Sequence, residues 1–471
     1  MKGLRVVLIV VVTIVGIAAL RDMARLEDEL PWHQLIDFSD FYCAGAALDR
    51  GSDPYRYEPL HTCERTVNVG KTDAALFFAY NRTVAVPAPQ PPYDFLPFMA
   101  LARLPFGGAR VIGGLAIVAA AALCAVALAS LGVPLEVAAA ALGLSTAYLE
   151  LEMGQIVPFA LLALVLCGLA LARGRDALAG VLAVLVAIAP TVGLPVVAGV
   201  LLFVPRARAA VVASALALAV ASAVLVGPGG LIEYFTAVLP AHADAELYFP
   251  FQYSLSWLLG SLGVAAGAAK LAGTASYIAF SAVGLMLAKT TSVALRRREL
   301  LVFVPALSSL VGGRFLHQEE LCFAIPALAI FSIAARGRSR VVAAAALCIV
   351  ALPWLLVWPT KGLFLASIFV CAVILIRLRI DLRIAVPILA VVAAAIFALQ
   401  SQPPMLWPPP PGSEQPVYAA NELAQDSWVG YINSLNGVNL SWLYVKIPTW
   451  IALLAALGVA SYCSRRGPEL A

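Results

Sequence analysis

Apolar runs of membrane-spanning length recur along almost the whole chain, and they constrain the fold more than any other feature of the sequence. They lie at about 4–20, 109–131, 134–149, 156–172, 176–204, 209–226, 275–289, 299–312, 319–335, 340–358, 362–376, 383–399 and 447–463. The chain is 62% hydrophobic and 12% charged, whereas soluble domains are about half apolar and roughly a quarter charged. A globular core cannot bury this excess. The sequence therefore predicts an all-α, polytopic transmembrane bundle of about 12 helices with short extracytoplasmic helices.

Two of the apolar runs need a separate interpretation. The run at 4–20 starts with basic residues, as a signal peptide does, but it lacks a clear small-residue cleavage site. We expect it to be a retained anchor helix. The run at 176–204 is too long for one simple span, is flanked by arginines on both sides and is interrupted by "APTVGLP". We interpret it as a hairpin or re-entrant pair, which is tolerated where the break is packed in protein or lines a cavity.

The distribution of basic residues predicts the orientation. With 176–204 as a hairpin, seven clusters fall on one side of the membrane: Lys2 and Arg5; Arg173 and Arg175; Arg206 and Arg208; Lys289 and Arg296 to Arg298; Arg336, Arg338 and Arg340; Arg377, Arg379 and Arg383; Arg465 and Arg466. That side holds 18 of the 31 basic residues and 5 of the 27 acids. Short loops rich in Lys and Arg stay in the cytoplasm, so we expect both termini to be cytoplasmic.

Three longer segments then form the opposite, extracytoplasmic face. The first two, 21–108 and 227–274, belong to a transmembrane domain that we assign to residues 1–399. The third, 400–446, is rich in Pro and Trp, and 447–471 supplies the last transmembrane helix and a cytoplasmic tail. All four histidines and all eight tryptophans fall on this face or at its boundary. An interfacial aromatic belt marks both interfaces, so a one-sided set favours an aromatic-lined groove outside the cytoplasm.

Two carboxylates open the first external segment. Asp37 and Asp40 lie three residues apart, shortly after the first apolar run and at the start of a helical stretch that ends at Gly51. One interpretation is structural, because aspartates at a helix start cap amides and favour the positive end of the helix dipole. The other is catalytic, because residues three apart share a helix face and a carboxylate at an apolar boundary can act as a general base.

Cysteines and cofactor motifs give little further information. Cys43 and Cys63 share the first external segment, where a disulfide is allowed if the compartment is oxidising; the other six lie in or beside apolar runs. There is no CxxC pair, no His/Cys ligand cluster and no Gly-rich phosphate loop. We therefore expect no cofactor, no structural zinc and no nucleotide donor. The stretch "HADAE" has metal-binding residue types without rigid spacing, so we expect no metal there either.

Several short motifs resemble one family. They are "DFSDFYCAG" followed by a short helix and "DPY", "PPYDFLPFMALARLPFGGAR", "EMGQIVPFALLALVL", "FQYSLSWLLG" and "GGRFLHQEELCFAIPAL". Together, from about residue 30 to 340, they resemble the polyprenyl-phosphate-dependent hexosyltransferases of the GT-C superfamily, most closely the bacterial membrane mannosyltransferases of glycosyltransferase family 87. Thr191 stands where that family's pattern suggests a lysine, which removes a basic contact expected there.

The resemblance implies an inverting transfer of a hexose, with mannose as the expected sugar, at the outer face of the bacterial cytoplasmic (inner) membrane. The donor would be a polyprenyl-phosphate sugar and the acceptor a glycan or glycolipid, with the lipid bilayer as surroundings and no nucleic acid partner. It assigns the general base to Asp37, with Asp40 as a second carboxylate and His317 as a third catalytic residue that contacts either the leaving phosphate or the acceptor. The expected donor- and acceptor-binding residues are Arg314, Gln155, Tyr93, Gln252, Ser254, Trp257 and Glu319.

Other interpretations remain open at this point. His317, Gln155, Tyr93 and Trp257 each have a structural alternative as boundary or interface residues. The chain as a whole has two: a transporter or lipid flippase, or a non-catalytic membrane assembly partner. A transporter is expected to carry ionisable groups near the bilayer midplane, and the predicted spans are almost free of them.

Overall fold

The architecture is helical throughout the part of the chain that the structure describes. This computed structural model describes residues 7, 10, 11, 13–19, 21, 35, 37–67, 84–357, 361–401, 418–434 and 441–466. Every named element in these ranges is a helix, and extended residues pair only at two isolated bridges, Arg56 with Leu423 and Gln252 with His317. The predicted all-α class is confirmed. The stretch 402–417, with most of the polyproline sequence, lies outside the described residues.

The α-helices of the described ranges are as follows. In chain order they are α1 (Phe38–Asp49), α2 (Tyr57–Val67), α3 (Leu96–Leu101), α4 (Phe106–Ser130), α5 (Leu135–Leu142), α6 (Leu149–Met153), α7 (Val157–Ala172), α8 (Asp176–Leu185), α9 (Pro190–Phe203), α10 (Arg208–Glu233), α11 (Leu239–Ala245), α12 (Leu255–Ser261), α13 (Ala266–Leu295), α14 (Leu300–Ser309), α15 (Ile325–Ala334), α16 (Gly337–Val350), α17 (Trp354–Val357), α18 (Lys361–Arg377), α19 (Leu382–Ser401), α20 (Ala424–Ser434) and α21 (Ser441–Arg466).

Several of these helices are suited to a membrane. Within the described ranges, five helical stretches are long and apolar enough to cross one: Phe106–Ser130, Pro205–Tyr248, Ala266–Leu295, Leu382–Gln400 and Trp442–Arg465. Others, such as α7, α9 and α14, are equally apolar but have 10–17 residues. The protein is therefore a helical membrane protein by length and composition, while the expected number of about 12 spans stays a prediction.

The arginine clusters gather at one end of the bundle. The Arg297 guanidinium donates to the carbonyl of Leu131 at 2.5 Å, and Arg298 pairs with Asp176 at 2.8 Å. Arg377 pairs with Glu136 at the same end. These contacts join the loops after α4, α7, α13 and α18. Because successive long helices run in opposite directions, these loops lie at the same end of the bundle. These contacts agree with the predicted grouping for the loops they join, whereas Lys2 and Arg5 lie outside the described residues.

Three helices are broken or stop early, and the breaks meet at the opposite end. The 176–204 run is divided into α8 and α9, which confirms the predicted interruption. Helix α14 stops at Ser309, and the chain returns through the loop 310–318 and a 3₁₀ segment, Glu319–Ala324, into α15. Helix α10 is interrupted at Gly227, just before Pro228. Irregular backbone at such depth is stable only where protein or a cavity satisfies its polar groups.

A layer of short helices covers this opposite end. Helix α1 packs on α2 and α3, and the disulfide Cys43–Cys63 joins α1 to α2. The sequence had left this pairing open. Helix α20, from the third external segment, packs against α2 and α11. The first and third external segments therefore form one layer, although contacting residues such as Arg56 and Asn421 are 365 positions apart along the chain.

The last helix begins earlier than the sequence suggested. Helix α21 starts at Ser441 and not at 447, which brings Lys446 into the helix with no exposed surface. Its Nζ donates to the carbonyl oxygen of Gln252 and lies 3.0 Å from the ring centre of Trp257. A lysine can be buried in this way because its stem is apolar and its terminal nitrogen has a hydrogen-bond acceptor and an aromatic face beside it.

The close packing of α1 on α3 predicts a stability effect. A Cβ atom on Gly45 would lie 2.5 Å from the backbone carbonyl carbon of Phe98, and backbone cannot move aside as a side chain can. We expect Gly45→Ala to destabilise the protein by about 1–3 kcal/mol through overpacking. Thermal unfolding in detergent would measure it. Gly108→Ala in α4 is the matched control, because nothing lies within 4 Å of the added Cβ; an equal loss in both variants would contradict the prediction.

Candidate active site

The broken helices and the external layer enclose one large cavity. Its volume is about 620 Å³. The lining comes from the start of α1, the loop before α3, the junction of α6 and α7, the tip of the α8–α9 hairpin, the region around α11, the loop 310–318 and Trp428. All three external segments contribute to it. A cavity of this size is typical of a small-molecule site.

Asp37 and Asp40 both line the cavity. The backbone N–H of Asp37 donates to the carbonyl of Met153 at 2.7 Å, which ties the start of α1 to the end of α6. The Gln155 side-chain amide donates to the Asp37 carboxylate. Asp40 is buried one turn further on, and its carboxylate accepts from the Ser39 hydroxyl at 3.0 Å. The predicted sharing of one helix face is present, and no side-chain cap bond occupies Asp37.

Gly154 makes the contact between Asp37 and Gln155 possible. It ends α6 with φ +78°, a conformation that glycine adopts without strain. A Cβ atom there would lie 2.9 Å from the backbone carbonyl carbon of Leu35. The glycine therefore lets the chain before α1 approach the α6–α7 turn, and Gln155 comes to lie opposite Asp37.

The environment of Asp37 favours the protonated acid. Burial and, to a smaller extent, the Glu319 carboxylate together raise the pKa of Asp37 to about 7, although the Gln155 hydrogen bond and His317 act to lower it. The side chain is half-buried, since it faces the cavity. A carboxyl group that titrates near neutral pH is matched to proton transfer.

His317 lies between two carboxylates. Its Nε2 is 3.3 Å from a Glu246 oxygen and its Nδ1 is 3.4 Å from a Glu319 oxygen. Its backbone N–H donates to Glu320 at 3.0 Å. Burial alone would lower the pKa of His317, but Glu319 and Glu246 outweigh burial and raise it well above the ordinary value. The two carboxylates thus favour the protonated, cationic form of the ring, which lines the cavity.

Glu246 and Trp428 are site residues that the sequence did not indicate. Glu246 is 3% exposed, and its second oxygen accepts from the indole N–H of Trp428. In the sequence Glu246 was only part of the "HADAE" stretch, and Trp428 was one of eight tryptophans. Neither has a local signal, because the contact joins residues 182 positions apart.

Arg314 lies at the rim of the cavity. Its guanidinium is 3.2 Å from Asp244, which also pairs with Lys270 at 2.6 Å. With 37% of its side chain exposed, Arg314 can turn towards an anion in the cavity. The hairpin tip supplies Thr191, whose hydroxyl donates to Glu320. Because residue 191 is a threonine and not a lysine, the hairpin tip contributes no positive charge here, as the sequence indicated.

The structure places four of the expected binding residues behind the cavity wall. Gln252 accepts from the backbone N–H of Leu316 at 2.9 Å, and Ser254 caps α12 by accepting from the backbone N–H of Trp257. Trp257 has no exposed surface. The Tyr93 hydroxyl donates to the carbonyl of Ala187 at 2.9 Å. Their contacts are with the protein itself, so they support the site's shape, whereas Arg314, Gln155 and Glu319 do line the cavity.

No metal centre is formed by the residues that the structure describes. Within those ranges, no group of three or more His, Cys, Asp or Glu side chains is arranged to hold a metal ion. The cavity's carboxylates are instead held by hydrogen-bond donors and by His317.

Fold and site together define a helical membrane protein with an acid- and imidazolium-lined cavity where broken helices meet a covering layer. Residues 90–316 match the model of glycosyltransferase family 87, in agreement with the resemblance seen in the sequence, and this match indicates a glycosyltransferase. No curated protein and no solved structure matches the chain. The matched region covers just under half of the chain and leaves Asp37, His317 and Trp428 outside it.

The raised pKa of Asp37 predicts how stability depends on pH. The folded protein binds this proton more tightly than the unfolded chain, so between about pH 4 and 7 rising pH removes stability. Asn cannot ionise but still accepts from Gln155. We expect the stability of Asp37→Asn relative to wild type to be greater at pH 8 than at pH 5 by about 1–3 kcal/mol, given roughly 1.4 kcal/mol per pKa unit.

Thermal unfolding in detergent at the two pH values would measure this effect. The matched control is Asp49→Asn, because Asp49 is on the same helix but its pKa is lowered by the hydrogen bond from Arg103. Its difference from wild type is expected to be the same at pH 5 and pH 8. A constant difference for Asp37→Asn as well would show that its carboxyl does not titrate in this range.

Proposed function

We propose that the enzyme transfers a hexose, with mannose as the expected sugar, from a polyprenyl-phosphate donor to a hydroxyl of an extracytoplasmic glycan or glycolipid. The observation that supports this most is that a candidate base and a candidate cation line the same cavity. A carboxyl group with a pKa of about 7 and a buried imidazolium face the same space. The first suits deprotonation of an acceptor hydroxyl, and the second suits an anionic leaving group.

The chemistry follows from these two groups. Ionised Asp37 accepts the acceptor's hydroxyl proton, and the oxygen attacks the anomeric carbon as the bond to the phosphate oxygen breaks. A single in-line displacement of this kind inverts the configuration at that carbon. The departing lipid phosphate is already an anion, so it needs compensating positive charge and hydrogen-bond donors more than a proton. His317 and Arg314 are placed to provide them.

The apolar side of the cavity supports a lipid donor. Leu194 and Phe235 line the cavity, yet each exposes 61% of its surface, and both lie on apolar helical segments. A cavity that continues into such a surface suits a substrate with a polar head and a hydrocarbon tail. A soluble nucleotide-sugar donor would gain nothing from this wall.

The proposed side of the membrane is the extracytoplasmic one. The cavity lies at the end opposite to the arginine clusters, which favour the cytoplasm. The disulfide Cys43–Cys63 belongs to the cavity end, and disulfides persist in oxidising compartments. Both features support a site on the outer face of the bacterial cytoplasmic membrane.

Substitution of Asp37 tests the proposed reaction. We expect Asp37→Asn and Asp37→Ala to lower transfer by about 10²–10⁴-fold, the usual contribution of a general base. The assay uses purified protein, radiolabelled polyprenyl-phosphate mannose and a membrane glycolipid fraction as acceptor. Asp40→Asn is expected to have a smaller effect.

Asp49→Asn is the control, since it removes an exposed carboxylate from the same helix. Wild-type activity is expected to rise with pH through about 7, because only ionised Asp37 accepts a proton. Unchanged transfer in both Asp37 variants would refute the role of this base. Absence of transfer by wild type from any polyprenyl-phosphate sugar would refute the donor and favour a transporter or an assembly partner.

Cysteine labelling tests the orientation. The free cysteines of the described ranges are all buried, so an introduced cysteine at an exposed position gives the signal. We expect a membrane-impermeant maleimide to label Asn421→Cys in intact cells, and Arg338→Cys only after permeabilisation. The parent protein shows the background. The reverse pattern would place the cavity in the cytoplasm.

A further inference from the structure

The His317 ring contacts two carboxylates, one from its own loop and one from another segment. Glu319 is two residues away in the same loop and moves with it. Glu246 follows α11 in another segment, so its 3.3 Å contact fixes the ring relative to the external layer. The loop itself is held by hydrogen bonds from Tyr253 N–H to the Leu316 carbonyl at 2.6 Å and from Leu316 N–H to Gln252 at 2.9 Å. The backbone of His317 is therefore fixed, and the ring orientation depends on the carboxylates.

Glu246 needs a partner to hold it in place. It is almost completely buried, where an isolated carboxylate is costly. His317 neutralises one oxygen, and the indole N–H of Trp428 donates to the other. A hydrogen bond to a charged acceptor is about twice as strong as one between neutral groups. The Trp428 indole thus decides which way the Glu246 carboxylate points.

Trp428 is a rigid support. Its ring centre lies 5.8 Å from that of Phe249 and 5.4 Å from that of Tyr431. Helix α20 is attached to the first external segment by the bond from Ala424 N–H to the Tyr55 carbonyl at 3.0 Å and by Ser427 to Ala85 at 3.0 Å. This helix lies outside the family match at 90–316.

We propose that Glu246 and Trp428 are positioning residues: Trp428 orients Glu246, and Glu246 orients the protonated ring of His317 towards the cavity. That the ring meets a donor phosphate rests on the proposed function; the positioning itself does not. Helix α20, which carries Trp428, then contributes to the function of the site. Other titratable or charged groups also face His317 or share its cavity, and they are Glu319, Glu320, Asp37, His242 and Arg314.

The first test measures the ring directly. Protein with ¹⁵N-labelled histidine in detergent has four histidine signals, and His317→Asn identifies the one from His317. In wild type we expect this ring to stay protonated above the ordinary titration range of histidine. Glu246→Gln keeps the shape but removes the charge, and we expect the midpoint of the His317 titration to fall by about one unit or more. Trp428→Phe keeps a ring but removes the N–H, with a smaller shift in the same direction.

Trp442→Phe is the matched control. Trp442 is also buried, packs on Phe251 and has no hydrogen-bond acceptor for its N–H among the described residues. It is expected to leave the His317 signal unchanged. If Glu246→Gln fails to fold, Trp428→Phe still tests the proposal. Unshifted His317 signals in both Glu246→Gln and Trp428→Phe would overturn the proposal, as would an equal shift in Trp442→Phe.

The second test is kinetic. With polyprenyl-phosphate mannose as donor, we expect Glu246→Gln to lower kcat/KM by about ten- to a hundredfold, because a misaligned cation stabilises the leaving phosphate less well. Trp428→Phe would show a smaller loss, and Trp442→Phe none. If the variants show the His317 shifts but the wild-type protein shows no transfer, the proposed donor is refuted and the positioning roles stay intact. Full activity in both site variants would overturn the positioning roles and leave the proposed reaction intact.

Discussion

The ion pairs between His317 and its two carboxylates are the interaction on which the cavity depends. Six acidic side chains line the cavity: Asp37, Asp40, Glu152, Glu246, Glu319 and Glu320. So many carboxylates at an apolar boundary cannot all ionise without positive charge nearby. The imidazolium offsets part of this charge, and the titration of Asp37 near pH 7 accommodates another part. A phosphate would add negative charge, which makes the cations of His317 and Arg314 the groups that decide whether it can bind.

The space for this chemistry exists because several helices stop early. The tip of the α8–α9 hairpin and the loop 310–318 leave the bundle open where continuous helices would fill it. Backbone polar groups at such breaks are costly in lipid, so they persist where side chains or a cavity satisfy them. The Tyr277 hydroxyl, for example, donates to the carbonyl of Thr191 at 2.8 Å. The same breaks that disturb the helices therefore position Thr191, His317 and Glu320 around one space.

The last third of the chain is more than extra membrane helices. Helix α20 brings Trp428 to Glu246, and α21 brings Lys446 to the carbonyl of Gln252. Gln252 in turn bonds to Leu316, the residue before His317. Two contacts from outside the matched family region thus converge on the loop that carries the imidazolium. Their common effect is to limit the movement of that loop relative to the rest of the site.

Hydropathy and charge act locally along the chain, so the class of fold, the clustering of arginines in a few loops and the helix break near Thr191 could be predicted from the sequence. Asp37, Gln155, Arg314 and His317 could also be predicted, because they lie in recognisable motifs. Glu246 and Trp428 could not, and Gln252, Ser254 and Trp257 were assigned binding roles although they lie behind the cavity wall. These points depend on the packing of the folded chain. Which side chains face a cavity depends on how distant segments pack, and a carboxylate's pKa depends on the neighbours that packing brings to it.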